Sequence, residues 1–192
     1  MTIEKELLEA IKALPVPKII AISGFGGSGK SSFSKELGTA IGASVVGIDS
    51  FQKNATTVAF SFWETMDFPR LEREVLIPFT KHEAHVEYKN FKWSGNDTDE
   101  MITITSSDAL IVEGVGLFRP ELIKYFDLTV WIDCPLDEAE ARGMKRDREV
   151  HHNEHDERWY KIWRENDIQY FENMKPKEVA DIVLDNSNKR AI

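Results

Sequence analysis

Apolar residues occur along this chain in two patterns: short uninterrupted runs, and longer stretches in which they recur every three or four positions. The uninterrupted runs are typical of strands buried on both faces, and the periodic stretches are typical of amphipathic helices. The runs predict strands over residues 18–23, 44–48, 109–112, 128–132 and 181–184. The periodic stretches predict helices over residues 1–14, 30–41, 69–79, 136–148 and 156–174. This alternation predicts an α/β fold in which helices cover both faces of a parallel sheet.

Residues 85–105 break the alternation. Val86 and Tyr88 precede a polar, turn-rich segment at 94–97, and Ile102 and Ile104 follow it. Apolar and polar residues that alternate on both sides of a turn predict an inserted β-hairpin.

Composition narrows the classes of function. The chain has 192 residues, of which 42% are hydrophobic, which suits one core and one domain. A net charge of −9 argues against binding to nucleic acid or to an anionic membrane surface. Cys134 is the only cysteine, so an internal disulfide is excluded and a reducing cytoplasm fits best. No uncharged stretch is long enough to span a bilayer, and the sequence leaves open whether the chain forms a homo-oligomer.

A glycine-rich segment between the first predicted strand and the next helix carries the strongest chemical signal. It matches the phosphate-binding pattern G-x-x-x-x-G-K-[ST], in which residues without Cβ atoms turn successive N–H groups toward an anion. Lys30 adds positive charge for the β- and γ-phosphates, and the Ser31 hydroxyl is placed to ligate Mg²⁺. The residues assigned to the nucleotide are Gly24, Phe25, Gly26, Gly27, Ser28, Gly29, Lys30, Ser31 and Ser32. The alternative is a glycine turn that only caps a helix.

Two acidic residues follow predicted strands. Asp49 and Glu113 each come at the carboxyl end of a strand, where open α/β sheets gather their ligands. We assign Asp49 as the base that receives the acceptor hydroxyl's proton, and Glu113 as a ligand to Mg²⁺ through water, with Asp49 as a further metal candidate. The two roles are interchangeable on this reasoning. The structural alternative is that Asp49 caps a helix near Ser50 and that Glu113 bonds a neighbouring backbone group.

The predicted helix at 136–148 carries Arg142 and Arg146 four residues apart, so both lie on one face. Like charges at this spacing repel, whereas a bound phosphate chain would convert the repulsion into charge-assisted hydrogen bonds. This pattern indicates a lid over about 136–155 that closes on the triphosphate. The alternative is a solvated helix in which Glu138 pairs with Arg142.

With these motifs in their order, residues 18–185 resemble the uridine kinase and phosphoribulokinase group of P-loop kinases. The matching segments are residues 22–31, 47–51, 110–115 and 142–148. The resemblance implies a three-layer P-loop fold with a five-stranded parallel sheet, ATP with Mg²⁺ as the donor, and Asp49 in the catalytic acid position. It also implies one kinase domain over 1–192, with an acceptor-side insertion at about 52–105 and a mobile helical lid.

The same resemblance implies a small-molecule acceptor, with a nucleoside 5′-hydroxyl of the uridine or cytidine type as the first expectation. Asp67, Tyr88 and Trp93 lie in segments similar to those that hold the acceptor in these kinases. Gln52 and Lys92 depart from the group, since a tyrosine and an acid are expected there. Pantothenate, glycerate, phosphoribulose and nicotinamide riboside are therefore alternative acceptors.

Two other classes of function compete with a kinase. A GTP-dependent switch predicts an N-K-x-D motif after a late strand, and Asn188 is followed by a segment without that acid. A non-catalytic P-loop protein that regulates a partner is the second rival, against which the intact Lys30, Ser31, Asp49 and Glu113 argue.

Overall fold

The computed structural model describes residues 3–53, 62–91, 100–105, 107–150, 152 and 156–188. Its strands are β1 (Lys18–Gly24), β2 (Ser44–Gly47), β3 (His85–Asn90), β4 (Glu100–Thr105), β5 (Ala109–Glu113), β6 (Leu128–Asp133) and β7 (Ile182–Asp185). Five of them form one sheet in the order β2-β5-β1-β6-β7, and every neighbouring pair is parallel. The predicted α/β fold is confirmed.

The helices lie in two layers and in a few short connections. They are α1 (Lys5–Ala13), α2 (Lys30–Ile41), α3 (Phe62–Thr65), α4 (Phe68–Leu71), α5 (Ile77–Thr80), α6 (Pro120–Ile123), α7 (Leu136–Glu149), α8 (Asp156–Arg158), α9 (Arg164–Met174) and α10 (Pro176–Val179). None of the helices in the described ranges is long and apolar enough to cross a membrane.

Central strand β1 shows why the sheet is covered on both sides. All seven of its residues are buried, and alternate side chains point to opposite faces of the sheet. Ile20 and Ile22 join one core cluster, which includes residues of α1 and α2. Ile19 and Ala21 join the other cluster, which includes residues of α4, α5 and the hairpin. The sheet is therefore the middle layer of three.

Two helices predicted as single segments are continuous but contain wide turns. A π-helical turn at Glu72–Leu76 joins α4 to α5, and another at Trp159–Trp163 joins α8 to α9. Pro78 accounts for the first, because proline lacks the N–H donor and crowds the carbonyl one turn earlier. π-turns are often found near functional sites.

Strands β3 and β4 pair antiparallel and form the predicted hairpin. Val86, Tyr88 and Ile104 are buried against the core, whereas the other face of the hairpin is largely exposed. The turn-rich segment at 94–97 lies outside the described residues.

Candidate active site

Three strand ends lie side by side at one edge of the sheet. Glu113, the last residue of β5, pairs in register with Gly47 at the end of β2 and with Ile22 of β1. β1 continues to Gly24, where the glycine-rich segment begins. Because the strands are parallel, their carboxyl ends open into the same space. The segments that carry the predicted nucleotide and acid residues therefore meet.

The glycine loop leaves a row of backbone donors free. Gly27 and Gly29 have φ angles of 81° and 101°, a left-handed region that strains other residues. The Ser28 N–H donates to the Phe25 carbonyl oxygen at 3.0 Å and closes the turn. In this loop, no group of the described residues accepts a hydrogen bond from the N–H groups of Phe25, Gly27, Gly29, Lys30, Ser31 and Ser32. Such a row at the start of α2 is suited to an anion.

The reason for a glycine at position 26 differs from the reason at positions 27 and 29. A Cβ atom there would lie 3.1 Å from the ring of Trp159 and 3.4 Å from Oδ2 of Asp167. The loop is thus closely packed by the segment around α8 and α9. The pattern of glycines predicted that Gly26 needs an unusual backbone conformation. In the structure, Gly26 is instead required because a side chain there would approach Trp159 and Asp167.

Lys30 lies under the loop and is only 7% exposed. Its Nζ donates to the carbonyl oxygen of Phe25 at 2.8 Å. Burial lowers the pKa of this ammonium group, and the negative charges of Glu113, Asp167 and Asp49 oppose that shift. The lysine therefore has several acidic neighbours, which favour its charged form.

Ser31 and Glu113 form the centre of a candidate cation site. The Ser31 hydroxyl donates to Oε1 of Glu113 at 3.0 Å. Burial raises the pKa of Glu113, while Lys30 acts in the opposite direction. A hydroxyl next to a carboxylate is a set of hard oxygen ligands that fits Mg²⁺, which takes its remaining ligands from water and phosphate. The described residues contain no cluster of three or more His, Cys, Asp or Glu side chains that would form an all-protein metal cage.

Asp49 lies in a 3-10 helix, Ile48–Phe51, that follows β2 directly. The residue is exposed to solvent, and desolvation by the protein atoms around its carboxyl raises the pKa of Asp49. The charges of Lys30 and Arg146 oppose this rise. The 3-10 helix has Gly47 at its N-cap and no side-chain cap, so Asp49 does not have the capping role considered above.

The two arginines of α7 have different surroundings. Arg146 is half-exposed, bonds the adjacent Asp147 at 2.9 Å, and its charge acts on both Lys30 and Asp49. Arg142 instead donates to the carbonyl oxygen of Asn186 at 2.8 Å and pairs with Glu138. The structure thus brings Arg146, but not Arg142, toward the acids. The Arg142–Glu138 pair considered as an alternative is present, and closure of α7 as a lid stays a prediction.

Two of the predicted acceptor residues, Asp67 and Tyr88, contact Phe51 in the 3-10 helix that carries Asp49. Asp67 caps α4, where its Oδ1 accepts the Arg70 N–H at 3.1 Å. Tyr88 is buried and its ring stacks on Phe51 at 5.3 Å between centroids. Burial raises the pKa of Tyr88. Trp93 and Lys92 lie outside the described residues, and the acceptor roles of Asp67 and Tyr88 stay predictions.

Arg70 holds this side together, although no sequence motif pointed to it. Its guanidinium donates to the carbonyl oxygens of Ser50 and Lys89, at 2.6 and 2.8 Å, and lies 4.5 Å from the ring centre of Phe51. It thereby joins the 3-10 helix after β2 to the end of β3. These contacts come from residues distant in sequence, so only the folded chain shows them.

The segment at α8 and α9 was also missed as part of the site. Asp167 accepts the Gly26 N–H at 2.7 Å, and the Trp159 indole donates to Asp147 at 2.8 Å. The Tyr170 hydroxyl lies 3.1 Å from Ser23 Oγ and accepts the Phe118 N–H at 2.9 Å. Helix α9 therefore contacts both the loop and the segment that follows β5.

Comparison with known proteins agrees with this geometry. No protein-family model matches the sequence. A uridine kinase from Haemophilus influenzae strain PittEE is 31% identical over 146 residues, an alignment that covers 68% of each chain. The chain belongs to the uridine kinase family. This membership makes the protein a small-molecule kinase.

Solved structures of the family's fold extend the likeness over nearly the whole chain. A possible uridine kinase from Bacillus stearothermophilus superposes with a TM-score of 0.71 at 20% identity, covering 94% of this chain and 96% of its own. A putative fructose transport system kinase from Silicibacter sp. TM1040 has a TM-score of 0.69 at 23% identity, covering 93% of this chain and 97% of its own. At these identities the superpositions show the fold, which is that of P-loop kinases.

Proposed function

We propose that this member of the uridine kinase family transfers the γ-phosphoryl group of Mg·ATP to a hydroxyl group of a small molecule. The observation that carries the proposal is the Ser31–Glu113 hydrogen bond, together with Lys30, on whose charge both Glu113 and Asp49 act. One space thus contains groups suited to a phosphate chain, to a divalent cation and to an attacking hydroxyl. In-line phosphoryl transfer requires these three kinds of group and little further chemistry from the protein.

On the nucleotide side, the free N–H groups of the glycine loop would hold the phosphate oxygens, and Lys30 would bridge to the β- and γ-phosphates. Ser31 and Glu113, the latter through water, would hold Mg²⁺, which would neutralise negative charge on the phosphate oxygens. Arg146 is the arginine placed to approach the transferred group, and Arg142 would have to exchange its present partners to do so. Lid closure would exclude water and suppress hydrolysis of ATP.

On the acceptor side, Asp49 would accept the hydroxyl's proton as the new bond to phosphorus forms. Its raised pKa leaves it more basic than an ordinary carboxylate, which favours proton acceptance. Asp67, Tyr88 and Trp93 are the proposed acceptor contacts. We propose a nucleoside 5′-hydroxyl of the uridine or cytidine type as the acceptor. Two features support this choice: the uridine kinase name of the matched relatives, and the segment 47–51 that contains Asp49.

The test is acceptor-stimulated ADP release with Mg·ATP and with Mg·GTP. The panel contains uridine, cytidine, adenosine, pantothenate, glycerate, phosphoribulose and nicotinamide riboside. Selective turnover of uridine or cytidine supports the full proposal. Turnover of a different compound supports a kinase but contradicts the proposed nucleoside acceptor. Tight Mg·ATP binding with no acceptor-stimulated release from any compound would instead favour a non-catalytic regulatory protein.

A further inference from the structure

A buried carboxylate that belongs to no recognised motif contacts the glycine loop. Asp167 lies in the first turn of α9 and is 5% exposed. Its Oδ2 accepts the Gly26 N–H at 2.7 Å. A backbone donor of the predicted phosphate-binding loop is therefore already bonded to an anion of the protein itself.

The charge of Asp167 has little compensation. Among the described residues no ion pair joins it to a basic side chain, and nearby Arg164 is engaged by Glu140 at 2.6 Å and Asp137 at 2.8 Å. Lys30 attracts the carboxylate and Glu140 repels it. Burial outweighs the contributions of Lys30 and of the Gly26 N–H, and raises the pKa of Asp167 to about 6. At neutral pH most of the carboxyl groups are ionised, next to the space where phosphates are expected.

Helix α9 is held firmly at this point. Three residues after Asp167, the Tyr170 hydroxyl bonds to the Phe118 N–H and lies close to Ser23 Oγ. Three residues before it, Arg164 is paired with α7. Because the helix is held on both sides, it cannot move the Asp167 backbone away from the loop without breaking other contacts.

We propose that Asp167 is a positioning residue of the nucleotide site: its carboxylate acts as an internal anion that accepts the Gly26 N–H and opposes an incoming triphosphate. This inference rests on the proposed function, since it requires the loop to bind a nucleotide. Two anions compete for one set of donors and for Lys30. Binding of the triphosphate therefore requires that Asp167 be neutralised or withdrawn, and the affinity for ATP is set below what the loop alone would provide.

The decisive variant is Asp167→Asn, which retains an oxygen that accepts the Gly26 N–H and removes the charge. We expect its Kd for Mg·ATP, measured by calorimetric titration at pH 8, to be at least five times lower than that of the wild type. Glu165→Gln is the matched control, because it removes the same charge from an exposed position on the same helix. Its Kd is expected within a factor of two of the wild type. A residue with only a structural role would weaken binding when changed, not strengthen it.

Each outcome decides the matter. If wild-type protein binds no Mg·ATP, the proposed function and this inference both fail. If the wild type binds but Asp167→Asn binds equally or more weakly, the inference is overturned and the proposed function stands. Equal strengthening by Glu165→Gln would assign the effect to net charge and would also overturn it. If Asp167→Asn shows no cooperative thermal transition, Asp167→Ser takes its place. Its Kd for Mg·ATP must then be at least five times lower than that of the wild type.

Discussion

The proposed nucleotide side and the proposed acceptor side of the site are built in different ways. The nucleotide side consists mainly of backbone N–H groups from one continuous segment, residues 24–32, with Lys30 beneath them. The acceptor side consists of side chains from a 3-10 helix, a helix start and a hairpin, held together by Arg70. Backbone recognition depends on local conformation, whereas side-chain recognition depends on contacts between distant segments. The first therefore depends mainly on the conformation of one segment, and the second depends on how several segments pack together.

The largest expected effect is a loss of phosphoryl transfer on the nucleotide side without a loss of folding. Lys30→Ala should reduce phosphoryl transfer by about 10³-fold or more, because the β- and γ-phosphates lose their buried positive charge. Thermal unfolding should remain cooperative, since among the described residues the Lys30 ammonium has one hydrogen-bond acceptor, the loop's own Phe25 carbonyl oxygen. Unchanged transfer in an ADP-release assay would contradict the assignment of the glycine loop.

A slightly smaller effect on turnover is expected at Asp49. Asp49→Asn should lower kcat by about 10²- to 10⁴-fold, because the acceptor hydroxyl loses its base. The Kd for Mg·ATP should change little, as Lys30 and the loop donors remain. Initial rates at saturating ATP and acceptor measure kcat, and full turnover by the variant would remove the catalytic assignment.

A substitution at Gly27 tests whether the glycine loop must pack closely against helix α7. A Cβ at Gly27 would lie 2.0 Å from the carbonyl oxygen of Ala139 on α7, so Gly27→Ala should displace the loop or the helix. We expect at least a tenfold loss of Mg·ATP affinity and a fall in the free energy of unfolding of about 2 kcal/mol or more. Gly42→Ala is the control, because its φ is also positive, at 69°, but a Cβ there meets nothing within 4 Å. It should cost about 1 kcal/mol of stability and leave ATP binding unchanged.

Arg70 provides the corresponding test of the acceptor side. Arg70→Met should raise the KM for the acceptor about tenfold, since the 3-10 helix and the hairpin lose their common anchor, while the Kd for Mg·ATP stays within twofold. Arg73→Met is the control on the same helical segment, because Arg73 is mostly exposed and its one ion pair within the described part of the chain is with neighbouring Glu74. Equal losses of ATP and acceptor binding in Arg70→Met would show that the two sides are not separable.

The smallest expected effect links α9 to the nucleotide side through stability. Asp167 has a folded-state pKa of about 6 against an ordinary value of 3.8, so between these pH values the folded chain holds a proton that the unfolded chain has lost. The contribution of this group to the free energy of unfolding is therefore fully present below about pH 4. It is lost as the pH rises through 6, and the total loss is about 3 kcal/mol at most. Asp167→Asn should therefore gain stability over the wild type as the pH is raised from 4 to 8. Urea unfolding at several pH values measures this difference, and a constant difference would contradict the raised pKa.

Sequence patterns alone predicted the sheet, the hairpin and the helices that flank the loop, because each depends on periodicity within a short segment. Helix α2 has the bounds predicted for it, and β2 ends one residue earlier than predicted because Ile48 begins the 3-10 helix that carries Asp49. The predicted helices at 69–79 and 156–174 contain π-turns that periodicity did not reveal. A wide turn shifts apolar positions by only one residue, too little to disturb the pattern.

The sequence by itself determined the glycine loop, Lys30, and the position of two acids at strand ends, because these follow from a contiguous motif and from the rule that parallel strands share an edge. Only the tertiary structure decided that Ser31 bonds Glu113, that Arg146 and not Arg142 turns toward the acids, and that Asp167 contacts Gly26. Asp167 and Gly26 are 141 positions apart in the chain. Contacts at such separation depend on how α9 packs across the sheet edge, and packing is a property of the whole core that no local pattern contains.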